Sequence, residues 1–245
     1  MNRNYGKWFL TPVKKTIINY RMIKEGDRVA LGVSGGKDSI ALLFIMALVR
    51  KHAPFSFDLQ AIFVDMGWEV DLFPLEKLCS NLEIPFHVEK TVISKIVFER
   101  RKEKNPCSLC SKLRRGALHK AAVALNCNSV ALGHHLDDVI QTYFLNILYS
   151  GRMDTFKPHT YLSRRQLNLI RPLIGLTERT VSALVRREGL PTIANPCPLA
   201  GKTERKAMGE IVDFMVSRYP GTYKRFATAF EKSGIWTKEV FRVED

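Results

Sequence analysis

The sequence predicts an α/β fold, a doubly wound and mainly parallel sheet, with helical additions at both termini. Two observations carry that expectation. Apolar runs of strand length (Arg28 to Val33, Phe57 to Val64, Phe86 to Val88, Ser129 to Leu132) alternate with stretches of helical length, the rhythm of right-handed βαβ units. Two strand-to-helix turns, Ser34-Gly35-Gly36-Lys37-Asp38-Ser39 and Gly133-His134-His135-Leu136-Asp137-Asp138, are rich in glycine and polar side chains. In such sheets ligands gather at the carboxyl ends of strands.

Trp8 to Asn19 reads as a basic helix ahead of the first strand. Arg28 to Val33 has strand length and β-branched residues, and Ile40 to Val49 lacks Gly and Pro and is long enough for a helix. Phe57 to Val64 runs into a turn at Asp65-Met66-Gly67, Leu72 to Leu82 is helical, and Phe86 to Val88 is a short strand. Thr91 to Lys104 reads as helix then loop, and a helix over Lys112 to Leu125 follows the Asn105 to Cys110 stretch. After the Ser129 to Leu132 strand, another helix extends to Tyr149. Gly151 to Arg165 reads as a basic loop, with any boundary falling between Gly151 and Leu167, and Leu167 to Leu173 as the last strand. Thr177 opens a helix to Glu188, and the prolines flanking Cys197 keep Asn195 to Pro198 extended. Two amphipathic helices, Thr203 to Ser217 and Thr222 to Ser233, close the chain. Gly201-Lys202-Thr203 imitates part of a Walker A motif, but Pro196 stands where its first Gly belongs, so it reads as a helix start. The implied division is an N-terminal basic helix (1–27), an α/β domain that holds both glycine-bearing turns (28–175) and a C-terminal helical region that carries Cys197 (176–245).

With 245 residues and 46% apolar content the chain can build a sizeable core. Its net charge of +14 points to a polyanionic partner. The excess is concentrated in Met1 to Lys24, in Arg100 to Gly116, and in Arg152, Lys157, Arg164, Arg165 and Arg171, which favours nucleic acid. Trp8, Phe9, Phe156 and Tyr161 lie near these tracts and offer faces for base stacking. There is no signal-peptide pattern and no apolar stretch of the roughly 18 residues that span a bilayer, so a cytoplasmic protein with reduced cysteines and no membrane partner is expected.

Backbone N–H groups from Gly35, Gly36 and the first helical turn would converge on one concavity at the positive end of a helix dipole. Lys37 adds a point charge, worth about 4 kcal/mol per contact at about 4 Å before desolvation. A Walker A loop is excluded because Leu31 and Asp38 occupy its Gly and Ser/Thr positions. Cys107-x-x-Cys110 has the spacing of a metal or cluster grip, and Cys197 sits in a rigid proline turn. Zinc binding and burial as small hydrophobes are the alternatives. Neighbouring Lys104, Lys112, Arg114 and Arg115 are expected to lower the thiol pKa values, and Cys79 and Cys127 to sit in the core.

The Ser34 to Ser39 stretch resembles the SGGxDS loop of N-type ATP pyrophosphatases. Together with CSLCSKLRRG, GHHLDD and the late cysteine, the chain from about Arg28 to Arg205 resembles the tRNA 2-thiocytidine synthetase family. The resemblance implies an adenine nucleotide alpha hydrolase-like fold and an ATP-dependent tRNA thiolation in which C2 of an anticodon-loop cytidine is adenylated and its oxygen replaced by sulfur. It implies that Ser34, Gly35, Gly36, Lys37, Asp38 and Ser39, with Asp65, Gly133 and His135, bind ATP. Mg²⁺ would sit on Asp38 and Asp138, and Cys107, Cys110 and Cys197 would hold a [4Fe-4S] cluster with one iron open to sulfide. Ser34, Arg114 and Asp138 take the positions proposed for catalysis. A Lys is common where Arg114 stands, and since guanidinium does not deprotonate, Arg114 is read as stabilising the adenylate. Some relatives carry a further cysteine where this chain has Ala200, which leaves Cys197 as the third ligand. The partners implied are tRNA and a cysteine desulfurase or other sulfide donor, with a homodimer as the expected assembly. The alternatives are a lysidine synthetase-like modification, a persulfide on Cys197 without a cluster, and a zinc-stabilised RNA-binding module.

Overall fold

The computed structural model describes residues 5–101, 106–199 and 204–244. Seven strands form one sheet in the order β3-β2-β1-β4-β6-β5-β7. They are β1 (Arg28–Gly32), β2 (Asp58–Asp65), β3 (Phe86–Lys90), β4 (Ser129–Ala131), β5 (His159–Leu162), β6 (Leu167–Ile170) and β7 (Phe241–Val243). The five strands from β3 to β6 are parallel, with Leu31 opposite Ala61 on one side and Ala131 on the other, whereas β5 runs antiparallel to β6 and carries β7 with it.

Burial on both faces explains why β1 reads as a continuous apolar run: Val29 and Leu31 join one core cluster and Ala30 the other. The first cluster is roofed by α1 (Thr11–Asn19), α2 (Lys37–His52), α3 (Phe73–Asn81), α5 (Leu136–Ser150) and α6 (Glu178–Arg187), and the second by α4 (Pro106–Ala124). Helices α7 (Glu204–Arg218) and α8 (Thr222–Lys232) pack back on α5. The amphipathic pattern of α8 buries Phe230, which meets Tyr143 of α5 and Trp236 edge-on or tilted.

The strand and helix assignments hold apart from their ends, with four corrections. Helix α4 begins at Pro106, not Lys112, so Cys107 and Cys110 lie in its opening turns; proline suits the first helical position because its missing N–H would have no partner there. The Gly151 to Arg165 segment contains strand β5, whose partners β6 and β7 supply hydrogen bonds that no local pattern announces. Leu167 to Ile170 is therefore not the last strand, and no break falls between Gly151 and Leu167, because the sheet runs through that stretch. Phe9 is not available to stack on a base: it is fully buried, and with Val13 and Ile17 it anchors α1 and the π-helical turn Gly6–Leu10 to the core. The Thr177 cap is as expected, its side chain accepting the Thr180 N–H at 3.3 Å. Cys79 and Cys127 are buried, also as expected. Lys104, Ala200 and the Gly201-Lys202-Thr203 helix start lie outside the described residues.

Candidate active site

The loop from Ser34 to Ser39 joins β1 to α2 and is built around one hydroxyl. Ser39 Oγ accepts from Ser34 N–H at 3.1 Å and from Ser34 Oγ at 3.2 Å, and donates to Gly36 O at 2.9 Å. Gly35 takes φ +81, and a Cβ there would lie 2.9 Å from Ile193 Cβ, so both conformation and contact demand glycine. Gly36 is the residue before α2, which leaves the first N–H groups of that helix facing the loop. Gly133, from the β4–α5 turn, packs on the same place: a Cβ would stand 2.7 Å from Asp38 O.

Charges converge above this backbone. Lys37 Nζ lies 2.9 Å from Asp38 Oδ1 and 2.9 Å from Glu178 Oε1. Burial pulls the Lys37 pKa down, but the two carboxylates outweigh it and leave it raised. His135 caps α5, its backbone N–H donating to Asp138 Oδ2 at 3.1 Å. Its Nε2 stands 3.6 Å from Asp38 Oδ1 and 3.5 Å from Asp138 Oδ2, while Nδ1 is 3.4 Å from Asp137 Oδ2. Burial pulls the His135 pKa down, but its link to Asp137 and the charges of Asp138, Asp38 and Asp137 outweigh that and leave it raised. Buried Asp137 also accepts the Glu178 N–H at 2.6 Å and the Tyr223 hydroxyl. Burial raises the Asp137 pKa, and these partners more than reverse that, holding the carboxyl below its ordinary value. Arg205 Nη1 reaches Asp138 Oδ1 at 3.2 Å.

The three cysteines named by the sequence come together from two distant stretches. Cys107 and Cys110 open α4, and Cys197 arrives on an extended segment fixed by its own N–H donating to Asn195 Oδ1 at 3.0 Å. Both neighbours act on the Cys110 thiol electrostatically, and none of the three is in a disulfide. The expected fall in thiol pKa is reversed at Cys110: burial raises it first, Arg114 opposes, and the Cys197 and Cys107 thiols raise it further. Flanking basic residues on the sequence said nothing of how dry the pocket would be. The segment that delivers Cys197 also crosses the SGGKDS loop, with Ile193 N–H donating to Gly35 O at 2.9 Å. The Arg114 charge is felt at both Cys110 and His134.

A PP-loop domain family model matches residues 9–208. The tRNA-cytidine(32) 2-sulfurtransferase of Pelobacter propionicus is 36% identical over 214 residues, 85% of this chain and 79% of that one. The protein of the same description from Geobacter metallireducens is 34% identical over 89% of this chain and 86% of its own. The chain belongs to the PP-loop family, among these sulfurtransferases. The fold agrees: the U34-tRNA thiolase NcsA from Methanococcus maripaludis with its [4Fe-4S] cluster superposes with a TM-score of 0.74 at 24% identity, covering 91% of this chain and 77% of that one. An NH3-dependent NAD synthetase from Campylobacter jejuni shares the fold more loosely, with a TM-score of 0.51 at 15% identity over 95% of each chain.

Asp65 ends β2 and is committed to its turn, accepting Gly67 N–H at 2.8 Å on its side chain and Thr91 Oγ1 at 2.7 Å on its carbonyl. Arg171, counted with the surface basic tract on the sequence, is buried instead. It stacks at 5.0 Å on Phe156 and donates to Lys157 O at 2.6 Å and to His134 Nδ1 at 3.3 Å. His134 is itself stacked on Phe156 at 4.4 Å. Residues that sequence reasoning missed are Glu178, Asp137, Arg205 and Tyr223. Two of them carried a signal: Asp137 lies within the GHHLDD turn, and Glu178 just after the Thr177 cap in the first turn of α6.

Proposed function

We propose that this chain, like the relatives it matches, uses ATP to thiolate a cytidine in tRNA. The observation that carries the reading is the join between the two halves: the extended segment bearing Cys197 is hydrogen-bonded to the PP loop through Ile193 and Gly35, while the Cys197 thiol acts on that of Cys110. On this reading the nucleotide cradle and the three free thiols serve one reaction.

The C2 oxygen of cytidine is a poor leaving group. Attack by that oxygen on the α-phosphate of ATP expels pyrophosphate and turns it into an AMP ester; hydrosulfide then adds at C2, and AMP leaves with the oxygen. The N–H groups of Gly35, Gly36 and the α2 start, with Ser34, Ser39 and Lys37, take the phosphates, and Lys37 stabilises charge as pyrophosphate departs. For Lys37 to do so, its contacts with Asp38 and Glu178 must loosen in favour of phosphate oxygens. Asp38 and Asp138 converge on His135 Nε2, a point already suited to positive charge, and their hard oxygens fit Mg²⁺. Asp65, Gly133 and His135 border the nucleoside, and Arg114 holds the adenylate without moving a proton.

Among the described residues no three His, Cys, Asp or Glu side chains close on one metal ion, and zinc at about 2.3 Å from each sulfur would require that. Cys107, Cys110 and Cys197, free thiols of which the first and last act on the second, are the residues that would hold a [4Fe-4S] cluster. When bound, such a cluster supplies an open iron coordination position for sulfide.

The remaining assignments belong to the same reading. Residues 28–175 are the ATP-binding unit, which 1–27 and 176–245 complete. A cysteine desulfurase or another sulfide source supplies sulfur, and the protein works in the cytoplasm as a homodimer. No helix among the described residues is long and apolar enough to cross a membrane, which is in keeping with that location. The test is pyrophosphate release by the anaerobically purified protein. Release that requires tRNA supports the reading, and release at the same rate without tRNA counts against it.

A further inference from the structure

Beside the active site, between α4 and the sheet edge formed by β6, β5 and β7, lies a cavity of about 390 Å³. Lys112, Arg115, Lys157, Arg165 and Arg171 line it, with Asp154 as the one carboxylate in the lining. Asp154 is already taken by Lys157 Nζ at 2.6 Å. Helix α4 thus has two working faces. Cys107, Cys110 and Arg114 repeat at i, i+3 and i+7 toward the thiol site; Lys112, Arg115, Gly116 and His119 repeat at i, i+3, i+4 and i+7 toward the cavity.

Two features of the lining bear on what the cavity could take. Gly116 sits inside a 19-residue helix, where glycine is costly, yet a Cβ there would meet nothing within 4 Å. The glycine therefore relieves no clash with the protein; what it keeps clear is the cavity. Arg171, 7% exposed, faces Arg115, and burial together with that like charge pulls its pKa down to about 10. Cations held facing one another in a partly dry cavity are relieved by an anion between them.

We propose that this groove seats the sugar-phosphate backbone of the tRNA next to the target cytidine, with Lys112, Arg115 and Arg171 on phosphates and Gly116 giving the strand close access to α4. The inference rests on the thiolation reading. Aromatic faces at the groove favour a nucleic-acid strand over an acidic protein: Phe156 forms part of the lining and Phe241, 47% exposed, lies under Lys157 at 5.2 Å. Phe156 also connects the groove to the site, since His134 stacks on it and Arg205, the partner of Asp138, lies 5.9 Å above it.

The experiment is tRNA binding by fluorescence anisotropy across a salt series, using the full chain. K112E/R115E is expected to weaken binding by about tenfold or more and to reduce the slope of log K against log salt by about 1.4, two contacts at about 0.7 each. K224E/K232E changes the same charge at a second basic hollow on α8 and is expected to do far less. Gly116→Gln is expected to raise the thermal midpoint while weakening tRNA several-fold, a combination that misfolding cannot produce. ATP affinity should be unchanged in all three. Groove variants that bind tRNA like the parent, or an equal loss in K224E/K232E, would overturn the groove and leave the thiolation reading standing. A parent protein that does not bind tRNA would remove both.

Discussion

The nucleotide cradle and the cysteine arm meet in one site but are built differently. The heart of the cradle is one run of sequence, and other turns close over it: Ser39 Oγ is bonded to Ser34 and Gly36 of its own loop, Gly133 packs on the Asp38 backbone, and Asp137 sits in a net of His135, Glu178 and Tyr223. The thiols come from residues 107, 110 and 197, are exposed or half-buried, and lean on little beyond an Asn195 turn and the Ile193–Gly35 bond. Nucleotide binding is therefore prepaid in folding, whereas the cysteines await a group that draws them together. Loss of a thiol should cost chemistry without fold, and loss of a cradle residue should cost both in proportion to its packing.

The sharpest separation is expected from Cys197→Ser. Thiolated nucleoside should disappear by mass spectrometry while tRNA-dependent pyrophosphate release persists and thermal stability stays within about 1 kcal/mol, since a half-buried side chain of similar size is exchanged. Lys37→Ala should slow pyrophosphate release about 10²- to 10³-fold, the usual loss when one preorganised donor is removed. Gly133→Ala forces a Cβ to 2.7 Å from a backbone oxygen, so urea unfolding should report a loss of about 1–3 kcal/mol. Tyr223→Phe should cost about 1.5–3 kcal/mol by removing a hydrogen bond to a carboxylate, and the coupling should vanish in the Asp137→Asn background.

The smallest effect is a pH slope. Burial, then Arg171 and its neighbours, hold the His134 pKa well below its ordinary value, so the folded protein refuses a proton that the unfolded chain accepts. Stability contributed by neutral His134 is full above the unfolded pKa of about 6.5 and is lost as pH falls below it, by at most about 1.4 kcal/mol per pH unit. His134→Gln, which keeps an acceptor for Arg171, should flatten unfolding free energy on the acid side and leave it unchanged near pH 8.

What the sequence made legible follows the same division. Strand β1, the SGGKDS loop and α2 are neighbours along the chain, so pattern and glycines reveal them. Strands β5 and β7 are stabilised by partners about 80 residues apart, from Thr160 to Phe241, and their short apolar content gives no local sign of that pairing. The start of α4 at Pro106 is hidden in the sequence because Cys, Ser and Pro carry no helical period. Tyr223 and Arg205 reach Asp137 and Asp138 across 86 and 67 residues, distances over which only the fold can speak. The three cysteines were legible by resemblance, but the Cys110 pKa was not, because burial is a property of the assembled pocket.

The most direct test of a single shared site is a product balance. Anaerobically reconstituted protein given ATP, sulfide and tRNA should form AMP and 2-thiocytidine in equal amounts, and neither should accumulate when the other reagent set is incomplete. Thiocytidine formed without ATP, or AMP released in step with a tRNA nucleoside other than thiocytidine, would contradict the account.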